Sequence, residues 1–253
     1  MVPLSSFAGG SLFGVRHGQG RPWVLALHGW QRSHGDFDAV LDGFDAIALD
    51  FPGFGSTPPP TSAWSTAEYA ATIAPILDEM ADSVVVIGHS FGGKISVHLA
   101  ATHPDRVSAQ VMTGVPLTRP PGPRRRAPRS FRIGRALHRA HLISEGRMEA
   151  LRQKYGSVDY RNAAGILRPI LVKSINEDSL APLAEYPNPV ELVWGATDGD
   201  VPLVVAQIAV DHCARGHLEI VPGVGHMTPH SASAALRSAL LHLRPTSVGR
   251  DAE

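Results

Sequence analysis

The chain has 253 residues, with 23 Lys or Arg balanced by 23 Asp or Glu, 43% hydrophobic residues and a single cysteine, Cys213. That length supports one large core, and an α/β chain of this size is ordinarily one domain. The balanced charge excludes a general attraction to nucleic acid or to an anionic membrane, and the lone cysteine excludes an internal disulfide.

Residues 1–22 carry neither a basic leader region nor a long apolar run, and no later stretch offers the ~18 consecutive apolar residues that a membrane-spanning helix needs. The expectation is a cytoplasmic protein with no integral membrane segment and no nucleic-acid partner. Taken in chain order, short apolar runs at 23–27, 46–49, 84–87, 107–112, 190–194 and 217–221 predict strands. Most of these runs are continuous rather than alternating, as in parallel strands covered on both faces. Between them, helical periodicity runs over 66–80, 94–103, 202–212 and 231–243. Alternating strand and helix predicts an α/β fold, with a mostly parallel central sheet and helices on both faces.

Between 117 and 183 the alternation stops and only helical periodicity remains. Helices are expected at 130–142, 145–154 and 158–175, the last bent at Pro169. The reading is a core formed by 1–116 and 184–253 with a helical lid inserted at 117–183. Its apolar residues Leu137, Leu142, Ile143, Met148 and Leu151 are expected to help enclose a substrate. The insertion opens with a basic run: Arg119 to Arg139 holds eight arginines and no acid. Arg125, Arg129, Arg132 and Arg139 share one helical face, and Ile133, Ala136, Leu137 and Ala140 share another. Such a run is ordinarily a solvated face; phosphate, an anionic lipid surface or an acidic partner are the alternatives.

The chemistry concentrates at Gly88-His89-Ser90-Phe91-Gly92, a G-x-S-x-G sequence placed after a predicted strand and before a predicted helix. So tight a strand-to-helix turn strains the serine backbone, needs glycine on either side, and holds the hydroxyl out above the sheet edge. It also turns the NH of Phe91, at the head of the helix, towards the point where an oxyanion would develop. A serine needs a base, and the base needs an orienting group. Two loops at strand C-terminal ends offer them: Gly195-Ala196-Thr197-Asp198-Gly199-Asp200 and Gly223-Val224-Gly225-His226. His226 alone among the histidines sits in a Gly-rich loop after the final strand, while Asp198 competes with Asp200 in one loop. His28 and His89 flank the site and read as braces rather than proton carriers. The i, i+4 pair of His226 and His230 is interrupted by Pro229, with no further ligand motif, so no metal is expected.

With these motifs in place the chain resembles an α/β-hydrolase. LHGW at 27–30, DFPGFGST at 50–57, GHSFGG, WGATDGDVP and PGVGH resemble five family blocks in family order, over nearly the whole chain. The resemblance implies Ser90 as nucleophile, His226 as general base, and Asp198, by its loop spacing, as the orienting acid. It also implies an oxyanion hole from the backbone NH groups of Trp30 and Phe91, with Trp30 lining the substrate pocket. The implied activity is hydrolysis of a small-molecule carboxylic ester through an acyl-enzyme, with no cofactor. A carbon–carbon bond hydrolase, a lactonase or a perhydrolase would keep the same residues, and a ligand-binding receptor on a hydrolase scaffold is the reading from another class.

Overall fold

Each apolar run pairs with its neighbours because both of its faces find cover. In a computed structural model, which describes residues 3–122 and 128–245, eight strands form one sheet in the order β1-β2-β4-β3-β5-β6-β7-β8. They are β1 (Leu4–Phe7), β2 (Leu12–His17), β3 (Val24–Leu27), β4 (Ala46–Asp50), β5 (Val84–His89), β6 (Val107–Thr113), β7 (Val190–Gly195) and β8 (Gly216–Val221). From β4 to β8 every pairing is parallel, and β2 joins β4 antiparallel. The helices are α1 (Asp38–Leu41), α2 (Thr66–Ile73), α3 (Phe91–Thr102), α4 (Arg129–Arg139), α5 (Glu145–Tyr155) and α6 (Val158–Asn162), then α7 (Leu167–Asn176), α8 (Leu180–Glu185), α9 (Leu203–Val210), α10 (Thr228–Ser231) and α11 (Ser233–His242).

The pleat sends alternate strand residues into two cores. Leu25, Leu27, Ile47, Leu49, Val84 and Val86 pack under α2, α3 and α9. Val24, Ala26, Ala46, Ala48, Val85 and Ile87 pack under α1 and α11. This is the expected α/β architecture. Among the described residues no helix is long and apolar enough to cross a membrane.

The departures from expectation have local causes. β1 and β2 form an antiparallel hairpin that the polar, glycine-interrupted sequence LSSF and LFGVRH does not announce. β8 is the sheet's edge and half exposed, not covered on both faces. The helix expected over 66–80 starts in a capping box of Ser65 and Glu68, then tightens into a 3-10 turn at Ala74–Glu79, since Pro75 has no NH to continue the ladder. The single helix expected over 158–175 is two, α6 and α7, broken where Gly165 takes a left-handed φ of 53°. Pro169 lies in the first turn of α7, where its missing NH costs nothing, and it causes no bend. Between β6 and β7 the described residues hold helices α4 to α8 and no strand; Arg125 lies outside the described residues.

Candidate active site

β5 runs directly into α3 with one residue between them. That residue, Ser90, has φ 50° and ψ −112°, a conformation that costs an L-residue roughly 1–3 kcal/mol. It survives because the surroundings fix it. The NH of Ser90 donates to the carbonyl of Thr113 on β6 at 3.0 Å, and its own carbonyl receives the NH of Gly93 at 3.1 Å. A Cβ on Gly92 would lie 2.1 Å from the carbonyl oxygen of Leu27, and one on Gly88 would lie 2.6 Å from the Cα of Gly93. Glycine is therefore forced at both positions by backbone approaching backbone. Among the described residues the NH groups of Phe91 and Trp30 donate to no protein acceptor outside regular ladders, and both residues line one cavity with Ser90.

The loops after β7 and β8 are locked together. Thr197 donates through both its NH (2.9 Å) and its Oγ1 (2.8 Å) to the carbonyl of Val224. A Cβ on Gly195 would lie 2.4 Å from that same oxygen. The clamp sets Asp198 against His226, whose Nδ1 donates to Asp198 Oδ2 at 2.9 Å. Asp198 Oδ1 accepts from the NH groups of Asp200 (2.9 Å) and Val201 (2.8 Å). Asp198 is buried and its carboxylate fully partnered, whereas Asp200 is exposed and makes no hydrogen bond to His226.

Electrostatics follow from these contacts. Burial opposes ionisation of Asp198, but the hydrogen bond from His226 and those from the backbone outweigh it and hold the carboxyl below its ordinary range. Burial likewise favours a neutral His226, yet Asp198, with Asp200 and Asp159 beyond it, lifts the imidazole above its usual value. With Nδ1–H committed to Asp198, the free nitrogen of neutral His226 is Nε2, the atom that can take a proton. The ring lies beside the elbow: a Cβ on Gly114, the residue after Thr113, would be 2.9 Å from His226 Cε1. The ring of His89 lies 4.9 Å from that of His226, centre to centre.

The two flanking histidines are neutral braces. His28 donates from Nδ1 to the carbonyl of Gly29 (2.7 Å) and accepts at Nε2 from the NH of Phe51 (3.1 Å). His89 donates from Nε2 to the carbonyl of His226 at 3.0 Å, pinning the loop that carries His226. Burial lowers each to about 4. Asp198, Asp200 and His226 also place one possible ligand atom each within 4.8 Å of one another. Asp198 has spent both oxygens on His226 and the loop backbone, so the cluster fits an orienting pair better than a cation site.

Beside Ser90 lies a cavity of about 230 Å³, walled by Trp30, Phe91, Leu171, Ser174, Ile175 and Asp159 among others. Of the helices between β6 and β7, α6 and α7 line this cavity with Ser90. Leu137, Leu142, Ile143 and Met148, expected to line it, do not. Leu137 and Leu142 are 36% and 69% exposed, while Met148 is 2% exposed, on α5. The periodicity that marked these residues as one face carries no information on which side that face lies. Sequence reading missed Asp159, Leu171 and Ile175. Leu171 and Ile175, four apart on one helix face, carried the only signal, and Asp159 had none.

Comparisons with known proteins bear on the family and the fold. Over 115 residues the chain is 35% identical to an esterase of Mycobacterium tuberculosis, covering 42% of this chain and 37% of that one. The chain spans between 17% and 37% of the length of the first curated relatives it matches. Among solved structures, a thermophilic esterase from Thermogutta terrifontis superposes with a TM-score of 0.66 at 20% identity, over 97% of this chain and 100% of that one. A meta-cleavage product hydrolase from Pseudomonas fluorescens gives 0.67 at 18% identity, over 96% and 97%. The sequence profile of the alpha/beta hydrolase family matches residues 24–239, and with five ordered motifs and the strand-to-helix turn at Ser90 beneath that match, the chain belongs to the alpha/beta hydrolase family.

Proposed function

We propose that the protein hydrolyses a small-molecule carboxylic ester through an acyl-enzyme. The observation that carries this is the hydrogen bond that His226 Nδ1 donates to Asp198, which leaves Nε2 as the proton acceptor in a ring packed on His89, the neighbour of the strained Ser90. Ser90 Oγ attacks the ester carbonyl carbon while His226 Nε2 takes the hydroxyl proton, and the NH groups of Trp30 and Phe91 receive the oxyanion. The imidazolium that forms is stabilised by buried Asp198 and returns its proton to the departing alkoxide. Water, deprotonated by the same nitrogen, then releases the acid and restores Ser90. Among the described residues Ser90 Oγ makes no side-chain hydrogen bond, so on this reading its contact with His226 tightens as substrate arrives.

The helical segment between β6 and β7 acts as a lid through α6 and α7 rather than α4. The cavity is smaller than the roughly 300–1,000 Å³ usual for drug-sized ligands, which favours a short acyl or alcohol group. The test is a panel of aryl and alkyl esters of increasing acyl length, run beside lactones and a vinylogous diketone, on the wild type and Ser90→Ala. Short-chain ester turnover falling by about 10⁴ to 10⁶ in Ser90→Ala is expected. Retention of more than about a tenth of wild-type activity would remove Ser90 as nucleophile. Preferred turnover of the diketone would replace ester cleavage with carbon–carbon cleavage on the same residues.

A further inference from the structure

Helix α4 turns an unusual face to solvent. Its inner side packs on α5: Gly134 sits so close to Leu151 that a Cβ there would lie 2.1 Å from Leu151 Cδ1. Phe131 meets Tyr155 edge to face with ring centres 6.1 Å apart, Ser130 Oγ and Tyr155 Oη share a hydrogen bond of 2.6 Å, and His138 meets Glu145 at 2.5 Å. These contacts hold α4 on α5 by a face that leaves Ile133 and Leu137 to one side of it. Ile133 is therefore left 59% exposed and Leu137 36%, with Leu142 just beyond the helix at 69%.

Arg129, Arg132, Arg135 and Arg139 surround Ile133 and Ala136 on that outer side. Among the described residues none of the four makes a salt bridge; the nearby acids Glu145 and Glu149 are taken by His138, Arg152 and Arg168. Gly134 is the only buried residue of the helix, so its arginine and aliphatic side chains on the outer side stay open to solvent. A helix with uncompensated guanidinium groups along one flank and bare aliphatic side chains along the other matches the boundary between anionic headgroups and acyl chains. A free phosphate or a purely acidic partner would leave the aliphatic flank unused.

We infer that α4 docks the protein on anionic lipid surfaces, with Arg132, Arg135 and Arg139 on the headgroups and Ile133, Leu137 and Leu142 entering the acyl boundary. This contact is independent of the reaction at Ser90. The balanced charge of the whole chain does not oppose it, since adhesion at such a surface is decided within about one Debye length, roughly 10 Å at 0.1 M salt.

The measurement is sedimentation of the full chain with vesicles of phosphatidylglycerol and phosphatidylcholine mixed, or of phosphatidylcholine alone. Binding to the anionic vesicles only is expected, weakening as salt rises from 0.05 to 0.5 M. Each arginine neutralised should weaken partitioning about fivefold, so Arg132→Gln, Arg135→Gln and Arg139→Gln together should lose about 100-fold. The charge-matched set Arg21→Gln, Arg215→Gln and Arg244→Gln, outside the insertion, should keep wild-type partitioning. Should the triple lid variant fail to fold by circular dichroism, the single Arg132→Gln carries the test with its fivefold loss. Three results would each overturn the inference: equal binding to neutral vesicles, equal losses in the two variant sets, or a concentration-dependent dimer that Ile133→Ser with Leu137→Ser dissolves. The last would give the face to a second copy of the chain.

Discussion

The C-terminal edge of the sheet and the helical segment between β6 and β7 are built on opposite rules. At the sheet edge position is fixed by backbone meeting backbone: Gly88, Gly92 and Gly195 each sit where a Cβ would collide with main-chain atoms, and Gly114 sits where one would strike His226. In the insertion, position is fixed by side chains. Phe131, Ser130 and His138 hold α4 to α5, and a salt-bridge cluster of Glu149 with Arg152 and Arg168 ties α5 to α7. Backbone collision admits one residue type and one geometry, whereas side-chain packing admits several. The difference teaches where chemistry is held rigidly and where substrate preference and surface contacts are free to vary.

The largest effect that sharpens this comparison lies within one loop. Asp198→Asn should cost about 10⁴ in kcat, because the amide cannot hold the Nδ1–H tautomer of His226. Asp200→Asn, two residues away, should cost less than about tenfold, since it contributes charge at a distance and no hydrogen bond. Steady-state kinetics on a common aryl ester decide it. Equal losses would mean that the loop, rather than the carboxylate bonded to His226, is what matters.

The next effect is on stability. His28 and His89 are neutral in the fold and lowered to about 4 by burial, against an ordinary 6.5. The folded state thus binds fewer protons than the unfolded chain between those values. The stability that they contribute is full above pH 6.5 and is lost as pH falls towards 4, by roughly 2 to 3 kcal/mol for each. His226 works the other way: its raised value adds stability that is fully present below 6.5 and lost as pH rises through its folded value, so it offsets part of the loss. Urea midpoints should fall clearly from pH 7.5 to 5. His89→Gln keeps a donor for the carbonyl of His226 without a titrating ring and should flatten the slope. A midpoint that does not move would break the picture of two neutral, backbone-braced histidines.

How much of this was legible in the sequence follows the same division. The strands β3 to β7 and the glycine-bounded serine were readable because burial on two faces leaves continuous apolar runs and close backbone approach leaves glycine. That Asp198 rather than Asp200 bonds His226 matches the position the family's loop spacing implied. The hairpin β1–β2 was not readable, since an edge hairpin with one covered face leaves no continuous run. Nor was the orientation of α4: Ile133 and Leu137 define a stripe, but Gly134, Phe131 and His138 decide which side meets α5. Nor was the break before α7, where a single helix bent at Pro169 was expected and Gly165 instead divides it.

A smaller effect tests which part of the insertion shapes the pocket. Leu171 and Ile175 of α7 line the cavity beside Ser90, while Leu137 and Leu142 face solvent. Leu171→Ala or Ile175→Ala should shift the preferred acyl length, each methylene being worth about 1 to 3 kcal/mol in the transition state. Leu137→Ala with Leu142→Ala should leave the ranking of chain lengths as it is. The reverse pattern would return α4 to the pocket and erase the distinction between the two halves of the insertion.

The smallest effect crosses the boundary between the two regions. Asp159, on α6, lines the cavity with Ser90 and is close enough to feel both Asp200 and His226. Burial and the Asp200 charge push its carboxyl above the ordinary range, and His226 pulls it back. In return Asp159 is one of three carboxylates that raise His226, after Asp198 and Asp200. On the proposed mechanism His226 must be neutral to accept the Ser90 proton, so kcat/KM should rise with pH through its titration, with an acid limb centred above 6.5. Asp159→Asn removes one raising charge and keeps the side chain's size, so the limb should move to lower pH, with the plateau rate nearly unchanged. Arg147→Gln, an exposed change on α5, should leave the limb in place. If Asp159→Asn lowers the plateau and leaves the limb unmoved, Asp159 shapes the cavity without reaching the base, and the insertion's influence on the chemistry is steric alone.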